Sequence, residues 1–300
     1  MNHSLTGVVL VLLSAAGFAT LAIFIKYAYA AGANTVTILA ARFTLAAACL
    51  WLILYRQNPV PLIDKKNMIS LFFLGAIGYG AMSTAFASSL LYLPASLASL
   101  LLYLYPALVT ILAIVLGQDQ LSWPKAGALA LCFAGLLLLL GIHVDGVSTT
   151  GVFWGIASAV IYSLYIMAGN FLLAKIDPLV VTTYVCTAAA TLFSLYALGS
   201  GQFITTLPLA GWLAIGGIAF FSTVVAILGF FAGMAHIGPA NASIISTVEP
   251  LLTVVMSILF LGETITLIQW SGGLLILLGI MILQRKGRKS EEKPTLPSEL

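Results

Sequence analysis

The chain reads LPASLASLLLYLYPALVTILAIVLGQ over residues 93–118 and GPANASIISTVEPLLTVVMSILFLGE over residues 238–263. Both stretches are apolar, both carry a central proline, and both close on Leu-Gly followed by Gln118 or Glu263. Leu93-Pro94-Ala95 faces Gly238-Pro239-Ala240 at an offset of 145, and Tyr105-Pro106 faces Glu249-Pro250 at 144. Further out, Thr6-Gly7-Val8 faces Thr150-Gly151-Val152 at 144 (151 less 7), and Gly127 faces Gly272 at 145. An ordered series of this kind marks a tandem duplication, with one unit over 1–144 and the other over 145–284.

Composition sets the class of protein. The 300 residues are 61% hydrophobic and 7% charged, against about 25% charged in a soluble domain. So little charge cannot cover a water-facing surface, whereas a bilayer accepts helices that are apolar all round. A span needs roughly 20 apolar residues. Cutting at charges, prolines and polar clusters predicts ten helical spans: 7–29, 34–55, 68–89, 95–116, 123–142, 151–173, 178–199, 209–233, 240–261 and 267–284. Met1 to Thr6 lacks the basic residues of a signal peptide, so the first stretch reads as a retained span. The polar end, 285–300, has too little apolar surface to order itself and reads as a disordered cytoplasmic tail.

The basic residues orient these spans. With the N-terminus inside, the inner loops hold Arg56, Lys65, Lys66, Lys125 and Lys175, and the tail adds Arg285, Lys286, Arg288, Lys289 and Lys293. The outer loops hold no Lys or Arg, which is the positive-inside pattern with both termini inside. Five spans per unit is odd, so the second unit enters from the opposite face. The fold predicted is all-α, ten transmembrane helices in two inverted repeats. Inverted repeats supply two related packings, each open to one face, with a site near the midplane.

These landmarks resemble the EamA family of the drug/metabolite transporter superfamily. The resemblance rests on Glu249-Pro250, Leu261-Gly262-Glu263 and Gly272-Gly273 in the second unit. In the first it rests on Tyr105-Pro106, Leu116-Gly117-Gln118, Gly127 and Arg42 within Ala41-Arg42-Phe43. Gln118 departs from the glutamate usual in the family. The resemblance covers about residues 5–285. It implies a metabolite transporter, most often an exporter of amino acids and related solutes, in the cell membrane (the inner membrane of a bacterium).

Charges inside spans are the first site candidates. Glu249 lies about eight residues into its span, roughly 12 Å deep at 1.5 Å per residue. A charge at helix centre costs about 2.5–3.5 kcal/mol on insertion scales. Glu249 must therefore pair, face a wet cavity or hold a proton, and the last would suit protons as the coupling ion. Arg42 lies at a similar depth and is always charged. It needs an anionic substrate group, a carbonyl cluster or Glu249, whose depth differs by only about 6 Å. Lys26, nearer its helix end, can snorkel to the surface. Pro106 and Pro250 each remove a mid-helix hydrogen bond and are the hinge candidates. Tyr79, Ser99, Tyr103, Tyr105, Tyr162, Tyr165 and Ser246 are substrate-binding candidates, since rings with hydroxyls suit an amphipathic solute.

Other chemistries find no footing in the sequence. It carries no Walker A loop, HExxH, GxSxG or clustered Cys/His ligands. Cys49, Cys132 and Cys186 lie in separate apolar stretches. No catalytic residue, metal, cofactor or nucleic-acid partner is predicted, and the chain does not read as an enzyme. The expected partners are a small-molecule substrate and the lipid bilayer. The alternative to a transporter is a non-catalytic membrane partner or receptor, whose polar helix residues would face neighbours rather than a cavity.

Overall fold

The structure, a computed structural model, describes residues 3–56, 63–140, 148–173 and 176–291. The described residues are helical, with no strand. The first repeat runs α1 (His3–Ala30), α2 (Thr35–Arg56), α3 (Lys65–Phe73), a π-helical turn (Leu74–Tyr79), α4 (Gly80–Tyr92), α5 (Ala95–Leu102), α6 (Tyr105–Val115) and α7 (Trp123–Leu140). The second runs α8 (Thr149–Leu173), α9 (Pro178–Ser200), α10 (Leu209–Ala219), a π-helical turn (Phe220–Val225), α11 (Ala226–Ile237), α12 (Pro239–Ser246), α13 (Glu249–Leu261) and α14 (Leu267–Glu291).

Seven helical stretches among the described residues, including Ala95–Val115 across the α5–α6 joint, are long and apolar enough to cross a membrane. Three shorter apolar helices, Trp123–Leu138, Glu249–Leu261 and Leu267–Leu283, accompany them. Large apolar side chains such as Leu52, Leu195, Leu213 and Phe153 lie exposed on the outside of the bundle. Lipid tails, not water, satisfy such a surface. Several buried hydroxyls are satisfied within their own helices. Ser89 donates to the Phe86 carbonyl, Thr183 to Leu179 and Ser257 to Val254, which suits a setting without water.

Two expectations need amending. The prolines do more than kink their helices. The stretch 95–116 is broken into α5 and α6, and 240–261 into α12 and α13. Pro106 and Pro250 sit in the first turn of the second half-helices, where a missing N–H costs nothing. The tail expected to be disordered from Arg285 continues α14 to Glu291, because Lys, Arg and Glu propagate a helix once it has started. Residues 292–300 lie outside the described set. His236 stands in the last turn of α11.

Two pairs of equivalent helices, α2 with α9 and α7 with α14, pack against each other and run antiparallel. Trp51 of α2 donates to Thr187 of α9, while Asn34, before α2, donates to the Gln202 carbonyl after α9. In α7 and α14, a Cβ built on Gly135 would meet the Gly272 carbonyl, and one on Gly279 would meet the Ala128 carbonyl. Residues 128 and 272, and 135 and 279, are each 144 apart, so this contact is reciprocal, as a two-fold axis requires. Gly7 packs on His236 and Ile237 just as Gly151 packs on Tyr92 and Leu93. Gly7, Gly151, Gly135 and Gly279 are therefore points where neighbouring helices approach too closely for a side chain.

One further clamp joins the repeats. The Glu263 carboxylate accepts from the backbone N–H of Ala95 and from both the N–H and hydroxyl of Ser96. It thus caps the first turn of α5, where unpaired N–H groups and the helix dipole favour an anion. Lys26 lies within electrostatic reach of the same carboxylate.

Candidate functional site

A cavity of about 320 Å³ lies between the repeats. That is the low end of the roughly 300–1,000 Å³ typical of small-molecule pockets, so it admits a metabolite and not a polymer. Its wall is drawn from equivalent positions. Phe18 and Tyr162, Leu21 and Tyr165, Arg42 and Cys186, and Ser83 and Ile227 line it in pairs 144 apart. So do Phe86 and Phe230, Leu102 and Ser246, Tyr103 and Thr247, and Tyr105 and Glu249. The cavity sits on the pseudo-two-fold axis, and both repeats contribute the same helix faces.

The chemistry of the pairs has diverged. The cation comes from the first repeat, Arg42 against Cys186, and the anion from the second, Glu249 against Tyr105. Glu249 is the first residue of α13. The break that Pro250 imposes places its carboxylate at a helix N-terminus, which favours negative charge. The Tyr103 hydroxyl donates to it at 2.8 Å and lies 3.2 Å from the Ser246 carbonyl. That carbonyl is the one Pro250 leaves without its helical donor, so Tyr103 serves both consequences of the break.

Arg42 is only 2% exposed. Its guanidinium donates to the Tyr79 hydroxyl at a long 3.4 Å and lies 4.7 Å from the centre of the Phe43 ring. Among the described residues its Nε has no hydrogen-bond partner, and neither does the buried Ser83 hydroxyl. The pairing of Arg42 with Glu249 does not form. Among the described residues the ion pair is Lys125–Asp119, at the helix junction before α7. Aromatic rings fill the interval instead. Tyr103 meets Tyr105 at 5.9 Å between centroids, Tyr105 meets Tyr162 at 4.6 Å, Tyr162 meets Tyr165 at 5.9 Å, and Tyr165 meets Tyr79 at 5.4 Å. A string of five tyrosines thus runs from the carboxylate to the guanidinium.

Of the candidates, Glu249, Arg42, Tyr79, Tyr103, Tyr105, Tyr162, Tyr165 and Ser246 come together around this cavity. Ser99 does not. It is buried in α5, away from the lining. Pro106 and Pro250 flank the site without lining it. Sequence reasoning missed three features. Cys186 was noted only as lying in an apolar stretch, yet adding 144 to Arg42 leads to it. Phe43, neighbour of Arg42, offers its ring face to the guanidinium. The π-helical turns at Leu74–Tyr79 and Phe220–Val225, starting 146 apart (220 less 74), had no signal in the apolar pattern. Each inserts an extra residue and rotates the helix beyond it. The first ends on Tyr79.

A profile of the EamA-like transporter family matches residues 5–141 and again 149–285. The chain is 28% identical over 286 residues to "Uncharacterized transporter YcbK" of Bacillus subtilis, covering 91% of this chain and 90% of that one. It is 27% identical over 248 residues to "Uncharacterized transporter YyaM" of the same organism, covering 80% and 81%. It is 25% identical over 231 residues to "Probable terminal-alkyne amino-acid exporter" of Streptantibioticus cattleyicolor, covering 75% and 77%. A crystal structure with 19% sequence identity superposes with a TM-score of 0.67, over 95% of this chain and 99% of that one, and shares the fold. The chain is an integral, multi-pass membrane protein and belongs to the EamA-like transporter family of the drug/metabolite transporter superfamily.

Proposed function

We propose that this protein is a secondary transporter, an exporter of a small amphipathic, amino-acid-like metabolite, working by alternating access. In this reading ten spans form two inverted repeats, 1–144 and 145–284, with both termini and the segment from 285 inside. The observation that carries it is the cavity on the pseudo-two-fold axis, walled by eight equivalent pairs. When matching faces of inverted repeats enclose a site, exchanging their packings closes one face as it opens the other. The partner or receptor alternative expects these polar residues to face neighbouring helices, whereas eight of the candidates line one cavity.

The orientation gives the present state a direction. The cavity reaches Thr182, one turn from the inner end of α9, whereas the equivalent Ile38, near the outer end of α2, does not line it. The outer end of α5 is meanwhile tied down by Glu263. This is an inward-facing state, suited to loading a solute from inside. The tyrosine string supplies an amphipathic wall, and the relative named as an amino-acid exporter agrees with that solute class. Breaks before Pro106 and Pro250 give α5/α6 and α12/α13 joints about which the repeats rock.

The test is flux in liposomes holding the purified protein, across a panel of amino acids and amphipathic amines, under imposed substrate and pH gradients. Saturable flux of one or more members supports the proposal, and complete inertness overturns it. A second reading concerns the driving ion. Glu249 faces the cavity with a tyrosine hydroxyl and, among the described residues, no ion-paired cation, so its carboxyl can exchange a proton with the cavity. Glu249→Gln that still transports with an unchanged pH dependence would end that idea.

A further inference from the structure

We infer that Arg42, with the Tyr79 and Ser83 hydroxyls, forms a subsite for the carboxylate of the transported solute. The inference rests on the transporter reading and narrows its substrate to one bearing a carboxylate. A guanidinium has five N–H donors and no way to shed its charge. Here it makes a single hydrogen bond to protein among the described residues, at 3.4 Å, while its Nε points at no acceptor. A residue kept only for packing would spend those donors on carbonyls or a carboxylate, because a buried charge without a partner is strongly unfavourable. The Phe43 ring stabilises the cation from one side but takes no hydrogen bond in the guanidinium plane.

The second orphan lies on the same wall. Ser83 is 4% exposed, lines the same cavity and has no partner for its hydroxyl. It is one helical turn beyond Tyr79, and Tyr79 already touches Arg42. Two unpartnered polar groups and a tyrosine hydroxyl thus border one space. The acceptor they lack carries negative charge, is small and is planar enough for the guanidinium fork, which describes a carboxylate. A dianion such as a phosphate monoester fits less well, since one cation faces it and Glu249 lines the same cavity. The tyrosine string then lies along the remainder of the solute.

The test compares each acid with its own amide, so the wild-type protein alone gives an answer. L-Phenylalanine, L-leucine and L-methionine, each beside its carboxamide, are titrated against the detergent-purified full chain, with the shift in unfolding midpoint as readout. The same six are offered to liposomes in a flux assay. The subsite predicts that at least one acid binds at least about tenfold more tightly than its amide. It also predicts that Arg42→Gln abolishes this preference and that Arg42→Lys keeps part of it. Equal binding of acid and amide, or a preference that survives Arg42→Gln, overturns the subsite. Amides carried while no acid binds also overturn it and leave the transporter standing, whereas neither binding nor flux from any member removes both.

Discussion

Removing the Glu263 carboxylate should loosen the joint between the repeats by an amount the geometry sets. Glu263→Ala deletes two bonds from backbone N–H groups at the start of α5 and one from the Ser96 hydroxyl. Losing a helix cap costs typically about 1 kcal/mol, and a hydrogen bond to a charged group about 1.5–3 kcal/mol. The three bonds share one carboxylate and are not additive, so the expected loss is about 2–3 kcal/mol. Glu263→Gln keeps one carbonyl acceptor and should lose about 1 kcal/mol. Ser96→Ala removes only the hydroxyl bond at 2.7 Å, again about 1 kcal/mol. In the Glu263→Ala background that change should cost almost nothing. The assay is reversible unfolding in mixed micelles over the four-member cycle of wild type, both single variants and the double. A coupling energy near 1 kcal/mol is expected, and one within about 0.3 kcal/mol of zero would refute the clamp.

The close crossing of α7 and α14 gives a test of the pseudo-symmetry. Gly135→Ala places a Cβ 2.5 Å from the Gly272 carbonyl and should cost about 1–3 kcal/mol by overpacking. Gly127→Ala in the same helix meets nothing within 4 Å and should stabilise by up to about 1 kcal/mol through helix propensity; unfolding midpoints separate the two. Tyr103→Phe leaves both the Glu249 carboxylate and the Ser246 carbonyl without their donor. It should lower stability by about 1–3 kcal/mol and depress flux, and a variant equal to wild type in both assays would remove Tyr103 from the site. In the helix junction before α7, the hydrogen bond from Lys125 holds the Asp119 carboxyl below its ordinary range. Stability from this pair is present above the unfolded pKa of the carboxyl and lost as pH falls through its lowered folded value. Lys125→Met should erase that acid-side dependence, an effect below about 1 kcal/mol for so exposed a pair, visible in unfolding midpoints between about pH 2 and 5.

Apolar length and the 144-residue offset carried most of the fold. They gave the helical class, the repeat and nearly every boundary, because a bilayer forces each span to satisfy its own backbone. The breaks at 103–104 and 247–248 were legible as prolines, but their severity was not, since a kink and a full break share one sequence cue. The π-helical turns were illegible because an inserted residue leaves an all-apolar run all-apolar. For the site, depth singled out Glu249 and Arg42, and both line the cavity. Depth alone could not give lateral position, so their mutual pairing looked open until the tyrosines were seen between them. Ser99 shows the same blind spot. It shares a predicted span with Tyr103 but points into packing, and an all-apolar stretch offers no polar face to tell the two directions apart. The offset held more than was taken from it, since every equivalent pair around the cavity is found by adding 144 to one member.

Access to the cavity from both faces of the membrane bears most directly on transport between inverted repeats. Leu21→Cys, placed in the cavity wall of a protein with Cys49, Cys132 and Cys186 replaced by Ala, can be labelled by a membrane-impermeant thiol reagent added to one side of oriented vesicles. Alternating access predicts labelling from the inner face in the resting protein, and labelling from the outer face that rises when Glu263→Ala releases the outer end of α5. A cysteine reachable from neither face, or from the inner face alone in both proteins, would contradict it.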